Sequence, residues 1–383
     1  MVQKRLKTSS SERASLWEKV PDNEWGNWQW QQANRITTVA GLDSLIELTS
    51  EERLAITAAG ERFKFAITPY YASLMHPTDR SCPIRRQAVP VAEELRAVPD
   101  ELVDPLGEEA SMPVPGITHR YPDRVLFYTS HNCPVYCRHC NRKRKVGDPA
   151  SAAHRLQLMQ GIEYIRGRPE VRDVLISGGD PLTFSDDRLE EIIAGLRDIE
   201  HLEIIRLATR NPVTLPQRIT PAFVRMLSKY PPIYVNTHFN HPRECTEEAA
   251  TALGLLADAG CVLGNQMVLL KGINDNPGLV RQMNQWLLAH RCRPYYIFQL
   301  DPAEGTNHFR TPIESGLELI RGLRGWTTGM AVPHYVVDLP GGGGKVPVQP
   351  EYLVKKEGPV YTFKNYEGET YDYREGLDSP ECP

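Results

Sequence analysis

Residues 125–140 read VLFYTSHNCPVYCRHC, an apolar run followed at once by three cysteines, Cys133, Cys137 and Cys140. Similar β-branched and aromatic runs recur at residues 174–177, 204–209, 233–238, 262–270, 295–300 and 334–337. Amphipathic stretches separate these runs, and residues 189–196 carry apolar side chains at i, i+3, i+4 and i+7, the spacing of one helix face. A strand followed by a helix, repeated about every thirty residues, predicts βαβ units and a parallel sheet. Such a sheet forms a barrel, a partial barrel or a doubly wound sheet.

The size and composition of the chain are those of an ordinary globular protein. Its 383 residues predict one large domain with appendages, or two domains, and 41% hydrophobic side chains suffice for a sizeable core. The net charge of −4 does not indicate a nucleic-acid or membrane-surface protein. The first residues lack the apolar segment of a signal peptide, and no run approaches the ~18 apolar residues of a spanning helix. We therefore expect a cytoplasmic protein without a nucleic-acid or membrane partner.

The first hundred residues have a different character from the rest. They look helical and irregular, and Trp17, Trp25, Trp28 and Trp30 crowd one part of them. These rings predict an aromatic core, which we prefer, or a subunit contact. Four prolines within residues 99–116 then mark a connection rather than a helix or strand.

The cysteine motif carries the sharpest chemical signal. Three thiolates in a short loop can bind three irons of a [4Fe–4S] cluster, which leaves the fourth iron open for S-adenosylmethionine. A structural zinc ion is the alternative, because His131 or His139 could complete a tetrahedral site. The second predicted strand ends in residues 177–180, Ser-Gly-Gly-Asp. Its glycines would let the backbone approach the methionyl amino group closely, although a plain tight turn would need the same residues.

A second motif, residues 341–345, reads Gly-Gly-Gly-Gly-Lys. It is not a phosphate-binding Walker loop, because Leu339 replaces the first glycine and Val346 replaces the serine or threonine after the lysine. Lys345 on a glycine hinge suits an amine that forms a Schiff base with a cofactor and a substrate in turn. A flexible loop with an incidental lysine is the alternative.

Two aspartates and a group of arginines complete the candidate site. Asp301 and Asp338 each follow or end a predicted strand, and two neighbouring carboxylates repel unless a cation lies between them. A substrate ammonium or guanidinium group would supply that cation, whereas helix capping is the ordinary role of a lone aspartate. Residues 119–124 and Arg142 offer cations for phosphate or carboxylate, with surface ion pairing as the alternative.

Taken together, these segments resemble the lysine 2,3-aminomutase family of radical S-adenosylmethionine (radical SAM) enzymes over about residues 25–373. The resemblance rests on the following segments: WQWQ at 28–31, NRI at 34–36, HRYPDR at 119–124, CRHC at 137–140, NTHFNHP at 236–242, HFRTP at 308–312 and VDLP at 337–340. It implies an α/β fold, an incomplete (βα)6 barrel at residues 116–330, with a helical N-terminal region at 1–115. A C-terminal segment at 331–383 would carry the lysine that binds pyridoxal phosphate.

The resemblance also implies a role for each candidate residue. The roles are [4Fe–4S] ligands for Cys133, Cys137 and Cys140; S-adenosylmethionine contacts for Ser177, Gly178, Gly179, Asp180, His238 and Gln266; pyridoxal phosphate contacts for Arg120, Tyr121 and Arg124; the imine-forming amine for Lys345; and substrate contacts for Arg142, Asp301 and Asp338. The substrate would be a small molecule, a basic amino acid, and a reducing electron donor and a homo-oligomeric assembly are expected. The implied reaction converts L-lysine to β-lysine through a 5′-deoxyadenosyl radical.

Several alternatives stay open at this point. An arginine 2,3-aminomutase is the nearest rival, because two aspartates could also bind a guanidinium group. Relatives that act on glutamate carry Lys and Asn where this chain has Asp301 and Asp338, so we expect glutamate to be excluded. Some members bind zinc through a cysteine-rich tail, and Cys382 alone makes that doubtful here. A radical dehydrogenase or epimerase without pyridoxal phosphate and a zinc-stabilised scaffold are the remaining hypotheses.

Overall fold

The computed structural model describes Thr8, residues 12–148 and residues 154–376, so Cys382 lies outside the described residues. Its main element is a nine-stranded sheet whose strands lie side by side in chain order. The strands are β1 Ile117–Tyr121, β2 Arg124–Ser130, β3 Asp173–Gly178, β4 Ile204–Ala208, β5 Ile233–Thr237, β6 Val262–Leu269, β7 Cys292–Gln299, β8 His334–Leu339 and β9 Gly344–Pro347. Neighbouring strands from β2 to β8 are parallel, whereas β1 and β9 run antiparallel at the two edges.

Helices connect the parallel strands. The helices that follow β2 to β7 are α7 Arg155–Arg166, α8 Asp186–Arg197, α9 Asn211–Thr214 with α10 Pro221–Leu227, α11 Glu247–Asp258, α12 Pro277–Ala289 and α13 Ile313–Leu323. Each begins where the sequence places a cap or a proline; Ser185, for example, accepts a hydrogen bond from the third residue of α8. The apolar face of α8 is buried as its spacing predicts. Six consecutive strand–helix units confirm the incomplete (βα)6 barrel.

The edges of the sheet differ from the sequence-based prediction. Neither β1 nor β9 is predicted, and β7 begins at Cys292, three residues before its predicted start. Lys345 lies on β9 rather than on a free loop, because residues 344–347 pair with the end of β8. A separate three-stranded antiparallel sheet follows, formed by β10 Leu353–Glu357, β11 Val360–Lys364 and β12 Thr370–Arg374.

The N-terminal region is helical, as predicted, but all of its helices except the one at Ser50–Arg62 are short. They are α1 Asp22–Trp25, α2 Trp28–Ala33, α3 Val39–Asp43, α4 Ser50–Arg62, α5 Pro69–Ser73 and α6 Pro83–Ala88. Trp17 and Trp25 are buried with their ring centroids 6.1 Å apart, in accord with an aromatic core. The apolar core continues from Trp17 to Tyr335, so this region packs on the barrel. Among the described residues, no helix has both the length and the apolar character needed to cross a membrane.

Candidate active site

A cavity of about 600 Å³ lies along the strands and the loops that follow them. Every residue predicted for the site lines it. These residues are Arg120, Tyr121, Arg124, Cys133, Cys137, Cys140, Arg142, Ser177, Gly178, Gly179, Asp180, His238, Gln266, Asp301, Asp338 and Lys345. The parallel strands explain this convergence, because the loops after their carboxyl ends meet at one rim.

The three cysteines form one side of this cavity. Burial raises the pKa of the thiols of Cys133 and Cys140, so a bound metal would be needed to hold them as thiolates. Within the described ranges, no three His, Cys, Asp or Glu side chains are arranged to hold a metal ion. A tetrahedral zinc ion needs ligands that converge on one point, whereas in a [4Fe–4S] cluster each thiolate binds its own iron. Three cysteines from one short loop are the donor set of a [4Fe–4S] cluster that keeps one iron open.

The loop before the cysteines explains the two glycines after β3. Gly178 has φ +117°, and a Cβ atom on it would overlap the carbonyl oxygen of Ser130. A Cβ atom on Gly179 would lie 2.5 Å from the carbonyl oxygen of Asn132. Both glycines are thus required by the close approach of the chain to itself, whatever ligand they contact.

Asp180 is buried, and its carboxylate accepts hydrogen bonds from the surrounding loops. It accepts hydrogen bonds from the backbone N–H groups of Leu182 and Arg210, at 3.0 and 2.8 Å, and from the hydroxyl of Thr209. These bonds hold the loop after β4 against the loop after β3. Asp180 therefore shapes the predicted S-adenosylmethionine site through the backbone.

Arg210 contacts one of the three cysteines, and no sequence motif predicted this contact. Its Nη1 donates a hydrogen bond to Cys137 Sγ at 2.9 Å, and its Nη2 lies 2.6 Å from Glu244 Oε1. Its Nε donates to the backbone carbonyl of His238 at 3.1 Å. Burial, together with the nearby cations Arg210 and Arg142, lowers the pKa of the His238 imidazole to about 4, so this ring is neutral at physiological pH.

Lys345 meets the predicted substrate contact Asp338 on the neighbouring strand. The two residues are direct partners in the β8–β9 register, and Nζ of Lys345 lies 2.5 Å from Oδ2 of Asp338. The backbone N–H of Lys345 donates to the Tyr121 hydroxyl at 3.0 Å. Arg120 approaches Asp338 Oδ1 to 3.5 Å, yet Asp338 Oδ1 and Arg120 Nε are buried without a hydrogen-bond partner. These unsatisfied atoms indicate that the site is shaped for a further polar ligand.

Two more predicted cofactor contacts lie beside Lys345. The guanidinium carbon of Arg124 lies 3.9 Å from the ring centroid of Tyr121, and Arg124 also pairs with Asp123 at 2.9 Å. Gly344 has φ +84°, and a Cβ atom on it would lie 3.1 Å from the Tyr121 hydroxyl oxygen. Tyr121 thus fixes the turn that carries Lys345.

Arg142 is held by a carboxylate that the sequence did not suggest. Its Nε and Nη2 donate to the two carboxylate oxygens of Glu108, at 3.0 and 2.5 Å. Burial opposes the charged form of Glu108, but the Arg142 guanidinium outweighs it and lowers the pKa of Glu108 to about 2. Glu108 stays ionised at any physiological pH.

Among the residues that the structure describes, Asp301 has no ion-pair partner of this kind. Its Oδ2 accepts a hydrogen bond from the Asn141 side chain at 2.7 Å. Burial, together with the neighbouring charge of Asp338, raises the pKa of Asp301 to about 7. The predicted pair of carboxylates is therefore close enough to interact, and a cation placed between them would relieve both effects.

Comparisons with known proteins agree with this chemistry. Residues 320–381 match the family model described as Lysine-2,3-aminomutase, and residues 127–279 match the Radical SAM superfamily. The chain is 49% identical over 97% of its length to L-lysine 2,3-aminomutase of Clostridium subterminale, covering 89% of that protein. It is 50% identical over 92% of its length to L-lysine 2,3-aminomutase of Acetoanaerobium sticklandii, covering 86%. It is 47% identical over 91% of its length to glutamate 2,3-aminomutase of Clostridioides difficile, covering 82%.

Proposed function

The chain belongs to the lysine 2,3-aminomutase family of radical SAM enzymes, and from this premise we propose that it converts L-lysine to β-lysine. Family membership makes it an isomerase and implies S-adenosylmethionine and a [4Fe–4S] cluster. It does not by itself choose the substrate, because the glutamate and lysine enzymes are similarly related to this chain.

The choice of lysine rests on the pair Asp301 and Asp338. Both carboxylates line the cavity, and the charge of Asp338 contributes to the raised pKa of Asp301. The side-chain ammonium of lysine would meet two negative charges, whereas the side-chain carboxylate of glutamate would add a third. At an effective dielectric constant of about 20, two like charges 4 Å apart repel by about 4 kcal/mol, enough to exclude glutamate.

The residues present fit the cofactors that the proposal requires. When bound, the cluster with S-adenosylmethionine would supply a carbon radical, and pyridoxal phosphate would supply a π-system through which the amino group migrates. Lys345 offers the amine for an imine, and the buried Nε of Arg120 offers an unused donor for a phosphate oxygen. Arg142 would bind the substrate carboxylate at the opposite end of the amino acid from Asp301 and Asp338.

The test is an anaerobic assay with a chemical reductant, in which lysine, arginine and glutamate are offered side by side. We expect β-lysine from lysine, identified by chromatography and mass spectrometry, and little product from the other two. A clear preference for arginine would replace the substrate assignment while leaving the reaction class intact. Protein that contains iron and sulfide but forms no β-amino acid from any of the three would refute the proposal.

A further inference from the structure

The pairing of Arg142 with Glu108 fixes the arginine in one orientation. The carboxylate takes one edge of the guanidinium, through Nε and Nη2. The side chains of Glu108 and Arg142 are 6% and 16% exposed, so water competes little for these bonds. The Tyr128 hydroxyl donates to the same carboxylate, and the Tyr128 ring centroid lies 4.8 Å from the guanidinium carbon. Contacts at the edge and the face leave the guanidinium little freedom to rotate.

Only part of the guanidinium is then free for a ligand. Nη1 lies 3.4 Å from Ser177 Oγ, a long contact, on the side where both residues line the cavity. A substrate carboxylate that enters the cavity would meet this nitrogen. Because Glu108 already balances the charge of Arg142, the pair offers the substrate a directed donor more than a net positive charge.

The backbone around Glu108 is itself tied to the rest of the site. Pro105 O accepts a hydrogen bond from Gly341 N at 3.0 Å, and Leu106 O accepts one from Arg120. Glu109, next to Glu108, pairs with Lys145 at 2.6 Å on the surface. The segment at residues 104–109 therefore contacts three parts of the site: the turn at Gly341, the predicted phosphate contact Arg120 and the predicted carboxylate contact Arg142.

We propose that Glu108 is a positioning residue, which sets the direction in which Arg142 receives the substrate carboxylate and thereby places the reacting carbons. This inference rests on the proposed function. In a Glu108→Gln variant, Arg142 keeps its positive charge, no longer balanced by Glu108, and still attracts a carboxylate. The variant loses the pair of hydrogen bonds to the Glu108 carboxylate that orient the guanidinium group. Misplacement of a reacting group by about 1 Å can cost about a hundredfold in rate.

The experiment compares E108Q with E109Q, a matched change of a neighbouring glutamate whose side chain is 57% exposed and pairs with Arg144 and Lys145 rather than with Arg142. For E108Q we expect kcat with L-lysine to fall about tenfold to a hundredfold while KM does not rise, and for E109Q we expect both constants to match the wild type. A KM that rises, with or without a fall in kcat, would indicate lost affinity or general damage and would overturn the proposal. An unchanged kcat would do the same.

A second variant covers the case in which E108Q does not fold. Tyr128→Phe keeps the ion pair but removes one donor to the Glu108 carboxylate, so we expect a smaller fall in kcat, about twofold to tenfold, again without a rise in KM. Wild-type kcat in this variant would then overturn the inference. Wild-type protein without product would refute the proposed function and this inference together, whereas an active wild type matched by E108Q refutes the inference alone.

Discussion

Replacing Asp301 by asparagine tests the negative charge that we propose binds the side-chain ammonium group of lysine. The two side chains have nearly the same size, and the new amide oxygen can still accept the hydrogen bond from Asn141, which is 2.7 Å long in the wild type. What the change removes is one charge-assisted contact in a buried site. Such a contact contributes about 1.5–3 kcal/mol, so kcat/KM for lysine should fall about tenfold to 150-fold.

The matched substrate for this variant is norleucine, which lacks the side-chain ammonium group. Asp301 cannot pair with norleucine, so D301N should react with it at the wild-type rate or faster. The assay is anaerobic turnover of each amino acid, with products separated and quantified by mass spectrometry. An equal loss of kcat/KM on lysine and norleucine would show that Asp301 supports the site in general and does not read the ammonium group.

Three further predictions follow from the site. Because the pKa of Asp301 is raised to about 7, its carboxylate is charged above that pH and protonated below it, so kcat/KM for lysine should fall as the pH decreases from 8 to 6. The D301N variant should lose this pH dependence. A D301N profile that matches the wild-type profile would contradict the assignment. Cys140→Ala should lower the iron and sulfide content of anaerobically purified protein. Cys261→Ala changes a buried cysteine away from the cavity and should leave that content unchanged. Equal iron and sulfide contents in the two variants would contradict the cluster site. Borohydride reduction of protein loaded with pyridoxal phosphate should attach the cofactor to Lys345, as shown by peptide mapping, and Lys345→Ala should abolish that adduct; an adduct elsewhere would remove Lys345 from its proposed role.

The fold was largely predictable because its signals are local. The predicted strand at 233–238 agrees with β5 Ile233–Thr237 to within a residue, and the predicted helix face at 189–196 lies within α8 Asp186–Arg197. The edge strand β9 was missed because residues 344–347 contain a glycine and a proline and are paired through a turn. The three-stranded sheet at residues 353–374 was missed because most of its side chains are exposed and lack a clear apolar alternation.

The residues of the candidate site were likewise predictable where a local motif marks them and were missed where only tertiary structure brings them together. Cys133 and Lys345 belong to recognisable motifs, so their presence in one cavity could be expected from the barrel topology. Glu108, by contrast, lies in the proline-rich connection, 34 residues from its partner Arg142, and no periodicity links the two. Arg210 lies just after β4, and its contact with a thiol 73 residues away depends on how neighbouring loops pack. Pairings of this kind arise from tertiary structure alone.

The hydrogen-bonded register between β8 and β9 has a consequence for redesigning selectivity. Asp338 and Lys345 are direct partners in the β8–β9 register, so any substitution of Asp338 also changes the electrostatic environment of the amine that we propose binds the cofactor. Asp301 lies outside that pair and has an amide neighbour instead. Variants selected for substrates with neutral or acidic side chains would therefore begin at position 301, where a substitution leaves the hydrogen bond between Asp338 and Lys345 in place.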